Sequence, residues 1–189
     1  MKITRRLSSR DAILVAAFNA LPSRPDTSLA EIADLAGVGR ATLHRHFKGR
    51  DDLILSLTQA ALHDMDHAVD AACQSAQSYT QALKSCLDTL IPLGDRFAFL
   101  NRETGYDHPD VQAELDRQDR ELRELITQVV EENGLSRTIP VDWHKRCFDA
   151  VLMAAWSAVE VGELTSRQAC DLAWSTLTHS QSIEPSKDT

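Results

Sequence analysis

Several side chains between residues 28 and 48 hydrogen-bond well to phosphate groups and to the edges of bases. They are Ser28, Arg40, Thr42, His44, Arg45, His46 and Lys48. Arginine and lysine supply positive charge, while hydroxyl and imidazole groups supply directional hydrogen bonds. These groups can recognise a nucleic acid together only if one element presents several of them on the same side. The pattern of the surrounding residues predicts such an element.

The run SLAEIADLAGVGRATLHRHF, residues 28–47, predicts two short helices joined by a corner. Ser28 can cap the first helix and Glu31 can reach back to the cap, which together form a capping box. Gly37 suits the left-handed conformation that ends a helix. The second helix begins at Gly39 or directly after it. This arrangement is typical of a helix-turn-helix.

The second helix has an apolar side and an outward side. At about 100° per residue, Leu43 and Phe47 point one way, and Ala41 and Arg45 point the opposite way. The other polar residues lie around the outward side: Thr42 and Lys48 flank it, His44 and His46 lie on its two sides, and Arg40 stands near the helix start. A helix oriented in this way could present these groups to a major groove.

The division of charge along the chain separates this interpretation from an ordinary helical hairpin with a solvated basic face. Residues 1–50 contain nine Lys and Arg against four Asp and Glu, a net charge of +5. The other 139 residues contain eleven against twenty-four, a net charge of −13, so that the whole chain has −8. Basic charge confined to the candidate reader favours contact with DNA phosphates.

Residues 8–57 resemble the TetR family of bacterial transcriptional regulators. The resemblance is carried by RDAILVAAFNAL, TSLAEIADLAGVGRATLHRHF and KGRDDLI, which look like the first helix, the helix-turn-helix and the start of the long fourth helix. It implies that the seven polar residues from Ser28 to Lys48 stand where family members contact phosphates or bases. His44 replaces the usual tyrosine, and Gly39 replaces the serine or threonine that often caps the recognition helix.

Composition and periodicity predict an all-α protein, since glycine and proline are scarce and alanine-rich apolar runs recur at helical spacing. With the resemblance, this gives an N-terminal three-helix DNA-binding domain (1–50), a C-terminal helical ligand-binding and dimerisation domain (51–180) and a disordered tail (181–189). Beyond the reader, helices are predicted at about 51–76, 79–91, 95–104, 109–132, 140–161 and 165–179, with Asp51 opening the long helix that joins reader to body.

The last two predicted helices carry stripes of small and apolar residues. The stripes are Ala150, Ala154, Ala155, Ala158 and Gly162, followed by Ala169, Leu172, Ala173 and Leu177. The pattern alone favours burial against the chain's own body. The resemblance implies instead that these helices pair with their symmetry mates, so we expect a homodimer that contacts a palindromic double-stranded DNA operator.

Bulky apolar residues in the body are candidates for lining an effector pocket, although each also fits an ordinary core. They are Phe97, Phe99, Leu100, Trp143, Phe148, Met153 and Trp156. The resemblance implies an unidentified small-molecule effector. We therefore expect a ligand-responsive repressor that releases its operator when the effector binds, and we expect no cofactor.

A pair of histidines keeps a different function open. His63 and His67 are four residues apart, which lets two imidazoles reach one metal ion from one helix face. The helical wheel turns both away from the buried stripe, and no HExxH glutamate lies between them. The alternatives are a metal-binding helical protein or enzyme that uses this pair, and a helix-turn-helix interaction protein that does not read DNA. P-loop and nucleophile-elbow motifs are absent from the sequence, so we do not expect an enzyme.

The cysteines indicate a reducing compartment. Cys73, Cys86, Cys147 and Cys170 form no CxxC pair and fall in predicted helices, where buried cysteine behaves mostly as a small hydrophobe. A redox-sensing pair between distant helices is the alternative. No apolar stretch approaches about 18 residues and no signal peptide is visible, so we expect a cytoplasmic protein with no membrane partner.

Overall fold

The computed structural model describes residues 7–94 and 108–179, and within these ranges the chain forms α-helices and no strand. The helices are α1 (Ser9–Ala20), α2 (Leu29–Leu35), α3 (Arg40–His46), α4 (Arg50–Gln74), α5 (Tyr79–Leu90), α6 (Pro109–Glu131), α7 (Val141–Glu160) and α8 (Ser166–His179). A 3-10 turn, Ile91–Leu93, follows α5. The all-α prediction is confirmed, while the helix predicted at 95–104 and the tail predicted at 181–189 lie outside the described residues.

The described residues divide into two compact units. The first contains residues 7–63 and 108–112, and the second contains residues 64–94 and 113–179. The division falls between His63 and Asp64, inside α4. The domain boundary predicted after residue 50 coincides with the beginning of that helix. No helix in the described part of the chain has the length and apolarity needed to cross a membrane.

The first unit is held together by an apolar core that α1, α2, α3 and the first half of α4 share. Its largest fully buried side chains are Ile13, Leu21, Ile32, Leu43, Phe47, Leu53 and Leu57. Withdrawing a side chain of this size from water contributes roughly 1.5–3 kcal/mol. This burial fixes the short helices α2 and α3, which are too short to be stable in isolation.

In the second unit, α7 and α8 pack along each other, and α5 packs against α8. The indole Nε1 of Trp156 donates a hydrogen bond to the carbonyl oxygen of Leu90, 2.9 Å away. The same indole lies over Gly94, where a Cβ atom would come within 2.2 Å of the ring carbon Cδ1. Glycine at position 94 therefore permits the close approach between α7 and the turn after α5.

The N-terminus of α5 is capped from two directions. Ser78 accepts a hydrogen bond from the backbone N–H of Gln81 at 3.1 Å. The carboxylate of Glu132 accepts the N–H groups of Tyr79, at 3.1 Å, and of Thr80. Free N–H groups at a helix start favour an anionic acceptor, so Glu132 ties the end of α6 to the beginning of α5.

A network of ion pairs joins α4 to α6 within the second unit. The Arg117 guanidinium lies 2.7 Å from Asp66 on α4, and it also contacts Glu114 and Glu121 on its own helix at 2.5 and 2.6 Å. The hydrogen bonds with Glu114, Asp66 and Glu121 raise the pKa of Arg117 further above its usual value. Arg117 therefore stays charged and holds the second half of α4 against α6.

Candidate nucleic-acid interface

The first helix of the candidate reader begins as the sequence predicts. The backbone N–H of Ser28 donates to Glu31 Oε2 at 2.8 Å, and the N–H of Glu31 donates to Ser28 Oγ at 3.3 Å. These hydrogen bonds lower the pKa of the Glu31 carboxyl. The capping box is confirmed, and Ser28 itself is exposed at the N-terminus of α2.

The corner between α2 and α3 depends on Gly37. Its φ of +67° is left-handed, a conformation that favours glycine. The N–H of Gly37 donates to the carbonyl of Asp34 at 3.1 Å, and the N–H of Val38 donates to that of Ala33 at 3.0 Å. These bonds satisfy carbonyls at the end of α2 and turn the chain toward α3, as predicted.

Two buried side chains hold α3 against the first unit. Leu43 and Phe47 are each only 1% exposed. The Arg10 guanidinium lies over the Phe47 ring, 5.7 Å from its centroid, which adds a cation–π contact from α1. Gly39 caps α3 through its backbone, with no side-chain hydrogen bond. The position of α3 therefore comes from packing rather than from a strong cap.

The outward side of α3 exposes the groups that the helical wheel places there. Ser28, Arg40, Ala41, His44, Arg45 and Lys48 are exposed, and Thr42 and His46 are half-buried. This agrees with an orientation in which Arg45 points away from Leu43 and Phe47. Contact of these residues with DNA stays a prediction.

His46 lies at the edge of the core. Its ring centroid is 6.3 Å from that of Phe47, and the two rings are tilted by 53°. Its Nε2 atom is buried and has no hydrogen-bond partner among the described residues. His46 therefore combines packing against the core with a position beside the outward face.

Lys48 and Arg50, at the entrance to α4, use their hydrogen bonds differently. The backbone N–H of Lys48 donates to Asp52 Oδ2 at 2.8 Å, while the Lys48 side chain is exposed. The Arg50 guanidinium instead turns inward, donating to the carbonyl oxygens of Thr27 at 3.0 Å and Pro25 at 2.5 Å. Lys48 thus keeps its ammonium on the surface, and Arg50 fastens the loop that precedes α2.

Sequence reasoning counted Arg50 only as part of the basic charge of residues 1–50. Its partners lie 23 and 25 residues earlier in the chain, and no local pattern identifies them. Thr27, one of these partners, is 4% exposed and donates its Oγ1 hydrogen to the Arg24 carbonyl at 2.7 Å. Arg50 is therefore a positioning residue for the reader.

Comparison with known proteins agrees with this geometry. The sequence model of bacterial regulatory proteins of the tetR family matches residues 25–57, which include the corner and α3. The chain is also 30% identical over 175 residues to the HTH-type transcriptional repressor LfrR of Mycolicibacterium smegmatis, covering 92% of this chain and 90% of that protein. The chain belongs to the TetR family.

Solved structures of TetR-like regulators have the same fold. The structure of LfrR from Mycobacterium smegmatis in complex with proflavine gives a TM-score of 0.74 at 30% identity, covering 94% of this chain and 99% of that one. The fatty acid degradation regulator FadR of Bacillus halodurans gives 0.75 at 16% identity, covering 92% and 97%, and supports the fold alone. This TetR-family member is a DNA-binding transcriptional regulator and not an enzyme.

The candidate pocket residues of this TetR-family regulator lie in different environments. Phe148 and Trp156 are buried, at 2% and 7% exposure. Trp143 and Met153, in contrast, are 58% and 48% exposed, so they lie on the surface of α7. The remaining three candidates, Phe97, Phe99 and Leu100, lie outside the described residues.

The predicted dimerisation stripes are also divided between interior and surface. The buried members are Ala155, Ala169, Ala173 and Leu177. The exposed members are Ala150, Ala154, Gly162 and Leu172, and Ala158 is half-buried. The buried members pack within their own chain, so only the exposed set and Ala158 have surface to offer a second copy.

The two histidines of the alternative metal site, His63 and His67, are both exposed on α4. Across residues 7–94 and 108–179, no group of three or more His, Cys, Asp or Glu side chains is arranged to hold a metal ion. Within these ranges the structure therefore supplies no third ligand of these types to complete a site on this pair.

Proposed function

We propose that this TetR-family regulator represses transcription by binding a palindromic double-stranded operator as a homodimer in the bacterial cytoplasm, where chromosomal DNA lies. A small-molecule effector that binds in the second unit releases the operator. The observation that carries the proposal is the exposed cationic face of α3, which buried Leu43 and Phe47 hold outward. The relative LfrR, named as a transcriptional repressor, supports the direction of regulation.

In the proposed complex, α3 lies in the major groove. Arg45, opposite the buried side, is assigned to a base edge, because arginine pairs bidentately with guanine O6 and N7. Ala41 lies one turn earlier on the same side and suits contact with a thymine methyl group. The exposed Ser28 hydroxyl and the Lys48 ammonium are assigned to phosphates. Arg40, Thr42, His44 and His46 are assigned to phosphate or base contacts around them.

Dimerisation is assigned to the outer face of α7 and α8, defined as Ala150, Ala154, Ala158, Gly162 and Leu172. Met153, at 48% exposure, and Val161, at 65%, enlarge the apolar surface near this face. Small residues let helices approach closely, and a two-fold axis here gives each copy the same contacts. The two readers then face half-sites about one DNA turn, roughly 34–36 Å, apart.

The effector is assigned to the second unit, next to the buried aromatic side chains of Phe148 and Trp156. Proflavine, present in the LfrR structure, is a planar aromatic cation and is the first ligand to test. Residues 51–189 carry a net charge of −13, which favours a cation over an anion. Release of DNA requires that the effector bind the non-binding arrangement more tightly than the DNA-binding one. The helix α4 belongs to both units and is the proposed transmission element.

Selection from random DNA duplexes at low salt tests the proposal. We expect a palindromic site whose complex contains two copies of the chain, and whose affinity falls when proflavine or another effector is added. Recovery of no palindromic sequence would refute operator binding and favour a helix-turn-helix interaction protein. A palindrome bound equally well at every concentration of a ligand that binds the protein would refute release by that ligand.

Two substitutions then separate base reading from phosphate contact. Arg45→Ala should cost about 1–3 kcal/mol of DNA binding and relax the preference at one base position per half-site. Lys48→Ala should weaken binding to all sequences and reduce the salt slope by about one unit per half-site. Lys84→Ala, which removes an exposed lysine of the second unit, is the control and should leave the affinity unchanged. A uniform loss across sequences for Arg45→Ala would reassign Arg45 to phosphate.

A further inference from the structure

Two cysteines that are separate in sequence lie together in the second unit. Cys73 is in the last turn of α4, and Cys86 is in α5. Their Sγ atoms are 3.6 Å apart. Cys86 is 4% exposed, Cys73 is half-buried, and both are reduced thiols in the structure. The remaining cysteines, Cys147 and Cys170, lie on α7 and α8.

We propose that Cys73 and Cys86 form a dithiol site that hydrogen peroxide or an organic hydroperoxide oxidises to an intramolecular disulfide. A disulfide needs a sulfur–sulfur distance of about 2.0 Å, so the sulfurs must approach by about 1.6 Å. Cys73 lies at the end of α4, where the chain leaves the helix, and its sulfur is only 3.8 Å from the Ala82 carbonyl of α5. A rotation of one or both side chains closes the remaining gap.

The different environments of the two thiols assign their roles. Burial, reinforced by the neighbouring Cys73, raises the pKa of the Cys86 thiol well above its usual value. Cys86 therefore stays protonated and protected from solvent. Cys73 is the more accessible sulfur, and peroxide reaches it first. Cys86 then acts as the resolving thiol.

The reaction takes place in two balanced steps. The Cys73 thiolate attacks one oxygen of the peroxide, the O–O bond breaks, and Cys73 becomes a sulfenic acid while water, or an alcohol from an organic hydroperoxide, leaves. The Cys86 sulfur then attacks the Cys73 sulfur, so that the S–S bond forms and the S–O bond breaks. The hydroxyl leaves as water with the proton of the Cys86 thiol. Two thiols lose two electrons in total, and the peroxide gains them.

The disulfide would tie the last turn of α4 to α5 across the connection between them. The cross-link closes a loop with 12 residues, 74–85, between the two cysteines. Closing a loop of this size removes conformational freedom from the unfolded chain, so the oxidised protein should melt about 5–10 °C higher than the reduced protein. The proposal concerns the second unit alone and does not depend on DNA binding.

Peptide mapping tests the proposal directly. The reduced full-length protein is treated with hydrogen peroxide, its remaining thiols are alkylated, and it is digested with trypsin. Cleavage after Lys84 separates Cys73, in peptide 51–84, from Cys86, in peptide 85–96. Cys147 and Cys170 fall in two further peptides, 147–167 and 168–187. We expect a linked 51–84 and 85–96 product that separates on reduction, with the other two cysteines still alkylated.

Serine variants supply the controls. Cys73→Ser and Cys86→Ser should each abolish the linked product and the rise in Tm, whereas Cys170→Ser, which alters another buried cysteine, should preserve both. The proposal is overturned if peroxide leaves all four thiols open to alkylation. It is equally overturned if Cys73 proceeds to sulfinic acid without a linked product, or if the links join two copies of peptide 51–84 or involve Cys147 or Cys170.

Discussion

Arg50 should contribute to the stability of the reader through the loop that it fastens. Removing its side chain eliminates two hydrogen bonds from a charged donor, to the Thr27 and Pro25 carbonyls. Each such bond is worth about 1.5–3 kcal/mol, but the Pro25 site is exposed and water replaces that bond. A cation in the first turn of α4 also opposes the helix dipole by about 0.3–1 kcal/mol, which its removal returns. The net cost of Arg50→Ala should be about 2 kcal/mol.

Hydrogen exchange can localise this loss. A change of about 2 kcal/mol corresponds to a roughly 30-fold lower protection of amides that exchange by opening of the reader. We expect this loss in α1, α2 and α3, while amides of α7 and α8 in the second unit keep their protection. Arg50→Lys retains the charge but cannot span both carbonyls with a planar fork, so its effect should be about half as large.

Arg45→Ala is the matched arginine control, because Arg45 is exposed on α3. It should lower DNA affinity while protection stays within about twofold of the starting protein, as is usual for a surface substitution. Unchanged protection in Arg50→Ala would show that the two carbonyl contacts do not stabilise the reader. An equal loss in Arg45→Ala would show that loss of any arginine charge, rather than the clamp, is responsible.

Two further predictions concern single positions. Gly37→Ala should destabilise the protein by about 1 kcal/mol because of its positive φ, whereas Gly39→Ala, with equally open space for a Cβ and an ordinary φ of −72°, should change it by less than about 0.5 kcal/mol; equal losses in chemical denaturation would contradict this reasoning. Hydrogen bonds from Thr80, and then from Tyr79, lower the pKa of Glu132, so its stabilisation is present at neutral pH and is lost as the pH falls through that lowered value. The Tm of Glu132→Gln should therefore lie below that of the unaltered protein at pH 7 and converge with it well below about pH 4; a gap that stays constant with pH would exclude the carboxylate as its source.

Features set by neighbouring residues were accessible from the sequence. The Ser28–Glu31 capping box, the Gly37 corner and the inward direction of Leu43 all follow from spacings of a few residues. The described helices begin and end within two residues of their predicted limits. A second capping box, between Thr165 and Gln168 at the start of α8, was also predicted and is present.

Features that depend on how elements pack were not accessible. The inward turn of Arg50 requires knowing where the loop before α2 lies, and residue type alone made it one more surface cation. The closeness of Cys73 and Cys86 depends on the angle between α4 and α5, so the sequence left it as an alternative. Trp143 and Met153 were chosen as pocket candidates for their size, but size does not determine which side of α7 a residue occupies.

The double cap on α5 has a consequence for the synthesis of the chain. Glu132 follows Thr80 by 52 residues, so the N-terminus of α5 has only its local Ser78 cap until that glutamate has been made. At about 5–20 residues per second, this delay lasts roughly 3–10 s. For those seconds α5 can form its first turn but cannot complete its hydrogen bonds. The nascent second unit must therefore wait for the end of α6 before α5 is secured, even though α5 emerges well ahead of it.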